Sequence, residues 1–395
     1  MSNWFELERK YMMHTFDRIP IVLVKGEGAM VWDEAGREYL DFVGGWATNS
    51  LGHCHPVVVE AVTQQVRTLI QTSNQFYTIP QLRLAELLVN NSCLDKVFFS
   101  NSGAEANEGA VKLARRYGKL HLNGAHEVIT ASGSFHGRTL AMVAASGQAK
   151  FQQPYIPLPG GFINVAFNDL AAVKAATTDC TCAVMVEPMQ GESGVNLLTE
   201  HYLKGVREWC DQKGILLILD EIQTGLGRTG TLFAYEQYGI EPDIMTLAKG
   251  LASGIPIGAI LARDNVAVFV PGEHGSTYGG NPLVCAASYA TVKFIIDHDI
   301  AGNARRVGEY FMTGLRQLQQ KFPFVTNVRG RGLLIAMEFA TDIGMAVVMA
   351  CLERGLLINR VKPNAIRFMP PLIIGNKEVD QALGIMDKAL GSVGE

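Results

Sequence analysis

Long apolar runs are missing from this chain. No stretch approaches the ~20 residues that cross a bilayer, and the N-terminal MSNWFELERKYMM is amphipathic with acids in it, unlike a leader peptide. The expectation is an uncleaved cytoplasmic chain with no membrane partner. Basic runs are missing too: 34 Lys and Arg stand against 38 Asp and Glu, the net charge is -4 and the pI is near 6.2. No basic stripe is left for nucleic acid. The seven cysteines show no C-x-x-C spacing, which excludes a small stapled scaffold and leaves reduced thiols, with Cys180 and Cys182 expected in the core. There is no linker and no internal repeat. What is present is 395 residues, 48% of them hydrophobic, enough for a large core and for two domains rather than one.

Short apolar runs alternate with segments of helical period. KVFFS (96–100) precedes AEANEGAVKLARRYGK, HEVITA (126–131) precedes GRTLAMVAAS, CAVMVEP (182–188) precedes EHYLKGVREWCDQKG, and ILLILDE (215–221) follows. The alternation predicts a mostly parallel sheet covered by helices, the α/β class. After about residue 300, VRGRGLLIAMEF, GMAVVMACLERG, LLINRV and IRFMPP predict a smaller α+β unit. The N-terminal GAMVWDEAGREYLDF, two strand-like pieces around a D-x-x-G turn, is its expected partner.

In open α/β sheets ligands collect at the carboxyl ends of strands, and four such ends carry chemistry. In FFSNSGAEANEGAVKLARRY the free N–H groups of Gly103 and Ala104 suit a phosphate. Ser102 with Glu105 equally reads as a capping box that needs no ligand, and the two readings are compatible. In ASGSFHGRTLA, Phe135 can stack on a planar ligand and Arg138 can pair with a carboxylate, or the two are simply core and surface. In VMVEPMQGESG, Glu187 and Glu192 flank a turn, where acids are usually solvated. Lys249 lies in an uncharged stretch from Ile244 to Ala262, either snorkelling to the surface or buried, neutral and nucleophilic towards aldehydes. LLILDEIQTGLGRTG adds two adjacent carboxylates at a buried strand end, which are costly there unless a cation meets them. Together these features match pyridoxal 5'-phosphate (PLP). Its aldehyde suits the lysine, its phosphate the helix N-terminus, its ring the aromatic, and its protonated ring nitrogen Asp220.

From about residue 15 to the C-terminus the chain resembles the class III PLP-dependent aminotransferases of fold type I, and among them the acetylornithine aminotransferases. The resemblance rests on LDFVGGWATNSLGHCHP, SNSGAEANEGAVKLARR, SFHGRTLA, VEPMQGESGV, LDEIQTGLGRTG, LAKGLASGIPIGA, HGSTYGGNPL and IRFMPPL, in that order. It implies a mostly parallel seven-stranded sheet domain with a smaller α+β domain, divided as an N-terminal segment (1–60) joining the small domain, a PLP-binding α/β domain (61–295) and a C-terminal α+β domain (296–395). It implies Lys249 as Schiff-base lysine and proton carrier, and Asp220 on the ring nitrogen. Gln223 then faces the ring hydroxyl, Phe135 stacks on the ring, and Ser102, Gly103 and Ala104 meet the phosphate. Thr277 is implied at the phosphate of a neighbouring subunit's cofactor, hence a homodimer with shared active sites.

The substrates so implied are N-acetylornithine and 2-oxoglutarate. Arg138 would hold the carboxylate farthest from the reacting amine and Arg367 the α-carboxylate of glutamate. Glu192 would cover Arg367 when the acylated donor is bound, and Ser276 is a lesser contact. Ornithine, 4-aminobutyrate and succinyl-diaminopimelate are alternative donors, and a glutamate semialdehyde aminomutase or a non-enzymatic binding module are further alternatives. Phe16 stands where ornithine enzymes carry a tyrosine, Trp46 where the acetylornithine branch often has a smaller residue, and Ala104 where Thr is frequent. His53-Cys54-His55 has no third ligand nearby, so no metal is expected. GLGRTG (225–230) does not open a helix as a dinucleotide fingerprint would, and is read as an active-site or interface loop.

Overall fold

The computed structural model describes residues 4–394. A seven-stranded sheet runs in the order Lys96–Ser100, Gly258–Ala262, Ile244–Leu247, Leu216–Asp220, Thr181–Val186, Glu127–Ala131, Phe162–Val165. Gly258–Ala262 is antiparallel to both neighbours, and the other pairings are parallel. Strand Leu216–Asp220 shows why its sequence reads as one apolar run. Alternate residues face opposite ways: Leu217 and Leu219 enter one core cluster with Leu203 and Val206, while Leu216 and Ile218 enter another with Ala106, Ala110 and Ala114. Each such side chain contributes about 1.5–3 kcal/mol when fully buried, and a one-residue slip would reverse every assignment, so the register is firmly set.

The helices packed on these faces begin and end where their sequences say. Ser102 Oγ accepts from Glu105 N at 3.2 Å to cap helix Gly103–His121. Thr199 Oγ1 accepts from Tyr202 N to start Glu200–Lys213, and Gly214 at φ 66° ends it.

Two four-stranded sheets flank the large one. The first is the N-terminal meander Leu23–Glu27, Met30–Asp33, Glu38–Asp41, completed by Leu356–Leu357 lying parallel to Glu38–Asp41. Its D-x-x-G turn closes because Asp33 Oδ1 accepts from Ala35 N and Arg37 N at 3.0 and 2.9 Å, with Gly36 at φ 80°. The second is antiparallel, in the order Val325–Arg331, Leu334–Phe339, Ala365–Phe368, Asn359–Lys362.

All seven cysteines are free. Cys182 is buried as expected, but Cys180 is exposed, which corrects its assignment to the core. The strand starts only at Thr181, and Cys180 lies in the preceding turn, where its carbonyl accepts from His126 N and Glu127 N. No described helix is long and apolar enough to cross a membrane.

Candidate active site

The C-terminal ends of five strands open on one cavity of about 430 Å³. Its lining brings together Ser102, Gly103, Ala104, Phe135, Arg138, Glu192, Asp220, Gln223 and Lys249, residues from segments far apart in sequence. Arg367 lies one layer behind, fully buried on strand Ala365–Phe368. Ser276 and Thr277 are not among the lining residues. Their loop hangs beside the site: Ser276 Oγ accepts from Asn101 Nδ2 at 3.0 Å, and Gln71 Nε2 donates to the Thr277 carbonyl. Trp46 is likewise outside the lining, 48% exposed and 5.9 Å from the exposed ring of Phe16, although Thr48 does line the cavity.

The adjacent acids of the Leu216–Asp220 strand end have separate fates. Asp220 faces the cavity with its carboxylate anchored from behind. His136 Nδ1 lies 2.8 Å from Oδ2, Asn107 Nδ2 donates to the same oxygen at 2.7 Å, and Thr246 Oγ1 donates to Asn107 Oδ1 at 2.7 Å. Burial opposes the His136 charge, but the hydrogen bond and charge of Asp220 outweigh it and raise the imidazole pKa. Glu221 points the other way, outside the cavity lining, and accepts from Ala234 N and Tyr235 N at 2.7 and 2.8 Å. Burial raises its pKa to about 7.

Lys249 begins the turn Lys249–Ala252 with φ 40°, a left-handed backbone at a residue with a side chain. The turn closes on itself, with Leu251 N donating to the Ala248 carbonyl, and is held from outside by Ser50 Oγ donating to Gly250 O and Ser288 Oγ donating to Leu251 O. Burial lowers the amine pKa, with Arg367 adding to that and Glu192 and Asp220 opposing it.

Glu192 Oε1 accepts from Arg367 Nη1 at 2.8 Å, and the same nitrogen donates to Gln223 Oε1 at 3.2 Å. Burial works against the Glu192 carboxylate, but the charges of Arg367 and Lys249 outweigh it and lower its pKa. Arg367 Nη2 donates to Asn359 Oδ1 at 2.8 Å, while Arg367 Nε and Gln223 Nε2 are buried with no close hydrogen bond among the described residues, and the Gln223 amide helps hold the Glu192 carboxylate charged. Gly191 leaves room for this cluster, since a Cβ there would lie 1.5 Å from Gln223 Oε1. Arg138 stands at the exposed mouth, its guanidinium 3.8 Å from the Phe151 ring centroid and 5.4 Å from that of Phe135.

This lining can hold a compact anion, a flat ring and a reactive carbonyl at once. Ser102 caps its helix while the N–H groups of Gly103 and Ala104 remain without a bond among the described residues, so capping and anion binding coexist here. Gln223 Nε2 is buried with no close hydrogen bond among the described residues and has Glu192 as its neighbour, so it can turn a donor to a ligand oxygen.

The sequence does not single out Asn107, His136, Thr246 and Phe151, although Asn107 and His136 fall inside stretches that carry the resemblance; their roles come from the fold. The metal-like stretch has other duties. His53 Nε2 lies 2.8 Å from Asp41 Oδ2, and His55 packs edge-on against Phe294. In GLGRTG, Arg228 is buried and donates to the carbonyls of Leu333 and Pro370 at 3.0 and 2.6 Å, tying the loop to the C-terminal part of the chain.

The family described as aminotransferase class-III matches residues 11–390, and the chain belongs to it. The acetylornithine aminotransferase of Caldanaerobacter subterraneus subsp. tengcongensis is 50% identical over 387 residues, 98% of each chain. An ornithine aminotransferase structure from Toxoplasma gondii, with PLP at partial occupancy in its active site, aligns at TM-score 0.95 and 37% identity, covering 99% of this chain and 94% of that one. The crystal structure of acetylornithine aminotransferase from Elizabethkingia anophelis aligns at TM-score 0.88 and 34% identity, covering 98% of both chains.

Proposed function

We propose that this aminotransferase moves the δ-amino group of N-acetylornithine to 2-oxoglutarate with PLP as cofactor, giving N-acetylglutamate semialdehyde and glutamate, a step of arginine biosynthesis. The observation that carries the reading is the buried Arg367, just behind the cavity of Lys249 and Asp220, covered by Glu192, which lines that cavity. One donor carries a carboxylate beside its reacting amine and the other does not. Glu192 gives Arg367 a partner when the acylated donor is bound, and withdraws when the α-carboxylate of glutamate takes the guanidinium in a two-pronged pair. Arg138, steadied on Phe151, holds the distal carboxylate in both cases.

When bound, PLP supplies an aldehyde that takes up amino groups and a ring that accepts the electron pair left on the substrate carbon. The other roles belong to the protein. Lys249 Nζ would hold the aldehyde carbon until the substrate amine displaces it, and the freed amine would then move a proton from the carbon that bears the substrate amine to the carbon that held the aldehyde; burial lowers its pKa, which favours the neutral form this role needs. Asp220, with His136 and Asn107 holding one oxygen, keeps a negative charge against the protonated ring nitrogen. Gln223 Nε2 would donate to the ring oxygen, Phe135 would lie against the ring, and Ser102, Gly103 and Ala104 would receive the phosphate. Ser276 is a minor substrate contact.

We further read the chain as a cytoplasmic homodimer in which Thr277 completes the partner's phosphate site. Its large PLP domain spans 61–295, and its smaller domain is formed by 296–395 with 1–60.

Single-turnover half reactions test the donor. Glu192→Ala should spare or speed the glutamate half reaction and slow that with acetylornithine. Arg367→Ala should damage mainly glutamate, by about tenfold or more for a lost charge-assisted pair. A donor ranking led by ornithine, 4-aminobutyrate or succinyl-diaminopimelate, or equal losses in both half reactions, would overturn the assignment.

A further inference from the structure

We propose that the protein has a second small-molecule site, built for a polyanion, in the cleft between loop 229–231 and helix Ile300–Lys321. The cleft encloses about 560 Å³, more than the catalytic cavity and within the range of metabolite sites. Three arginines line it: Arg305 and Arg316 from the helix and Arg331 from the end of strand Val325–Arg331.

Their neighbours show what is unusual about them. Arg306 pairs with Asp299 at 3.3 Å and Arg329 pairs with Glu338, whereas Arg305, Arg316 and Arg331 make no ion pair among the described residues. Glu309 is the one acid in the lining, so the cleft is cationic on a protein whose net charge is -4. Glu200, close enough to feel Arg331, is already bound to Lys204 at 2.5 Å.

The cleft is also pre-formed. Arg331 Nη1 donates to Gln237 Oε1 at 3.1 Å and its guanidinium lies 5.0 Å from the Tyr238 ring centroid; Gln237 Nε2 is in turn fixed by Thr229 and Thr231. Gly230, at φ 102°, leaves the wall open for Arg305, whose Cβ would be 3.0 Å from a side chain there. With three arginines against one glutamate, the lining carries net positive charge, which a bound anion would offset. A guanidinium fork fits carboxylate and phosphate alike, so the ligand is a small molecule bearing two or more of these groups. The site lies outside the cavity lined by Lys249 and Asp220, and the inference does not depend on which amine the enzyme uses.

The test uses the holoenzyme, so that the cofactor fills its own phosphate cradle. Citrate and inorganic pyrophosphate are titrated by calorimetry at matched ionic strength, with sulfate as the single-anion control. Saturable one-site binding is expected for at least one probe, and the preferred probe distinguishes a polycarboxylate from a polyphosphate ligand. R305Q, R316Q and R331Q should each weaken it by about tenfold or more. The same probe should raise the melting temperature of the parent protein and not of R305Q/R316Q. That double variant, away from the catalytic cavity, should keep its turnover without probe. No saturation below about 10 mM, sulfate binding as tightly as both probes, or equal binding by R305Q/R316Q would overturn the proposal.

Discussion

Lys249 holds a left-handed φ, which costs on the order of 1–3 kcal/mol for a residue with a side chain, and an amine whose charge burial disfavours. A residue kept in that state against both penalties is placed for its amine. Lys249→Ala should therefore lose turnover by well over the ~10²–10⁴-fold typical of a lost general base, because the anchor goes with the base, and its visible cofactor spectrum should change after dialysis. A variant with normal turnover and an unchanged spectrum would remove Lys249 from the role.

Glu221 is a different kind of buried charge. Its folded pKa of about 7 lies above its ordinary 4.5, so between those values the folded state binds more protons than the unfolded state. Its contribution to stability is present below pH 4.5 and is lost as pH rises towards 7. Glu221→Gln does not titrate. Whatever offset it introduces, its stability relative to the parent should rise from pH 4.5 to 7, as read by denaturant unfolding at each pH; a constant offset would contradict the raised pKa. The sequence showed two acids at a strand end but not which way each turns. The period of two separates them, and only the packed sheet fixes the phase.

Among the elements, the helix Gly103–His121 joins stability to ligand binding at one end. Ser102→Ala removes the cap accepting from Glu105 N and should cost about 1 kcal/mol, measured by denaturant unfolding without cofactor. If Gly103 and Ala104 also cradle the phosphate, cofactor dissociation should speed up in the same variant. A loss of stability with unchanged dissociation would confine Ser102 to capping.

Local pattern made elements of this kind legible. KVFFS coincides with Lys96–Ser100, and the helix-period run after it falls within Gly103–His121. The turn Gly44–Ala47 was not legible. Its four residues have φ of 55°, 62°, 60° and 69°, all left-handed, and include Trp46 and Ala47, which avoid that region unless tertiary contacts impose it. The Asn107–His136–Asp220 network was hidden for a related reason. Hydrogen bonds between a helix, a loop and a strand far apart in sequence leave no period to read.

At the scale of the whole molecule, several large apolar side chains stand exposed together near the loop that carries Thr277. Phe76, Tyr77 and Ile79 are 65, 93 and 67% exposed, and Tyr278, next to Thr277, is 63% exposed. Gln71 and Asn74, just before the first group, hydrogen-bond the loop that carries Thr277 and Tyr278, so these residues form one surface. Such a patch marks an interface. If a second copy covers it and its Thr277 closes the phosphate site, association and cofactor retention are linked by mass action. Dilution to monomers should then release cofactor, Tyr77→Asp should shift the dimer to higher concentration and weaken retention in parallel, and Thr277→Ala should weaken retention while leaving the dimer intact. Sedimentation combined with cofactor absorbance separates these effects, and a cofactor-loaded, fully active monomer would disprove the shared site.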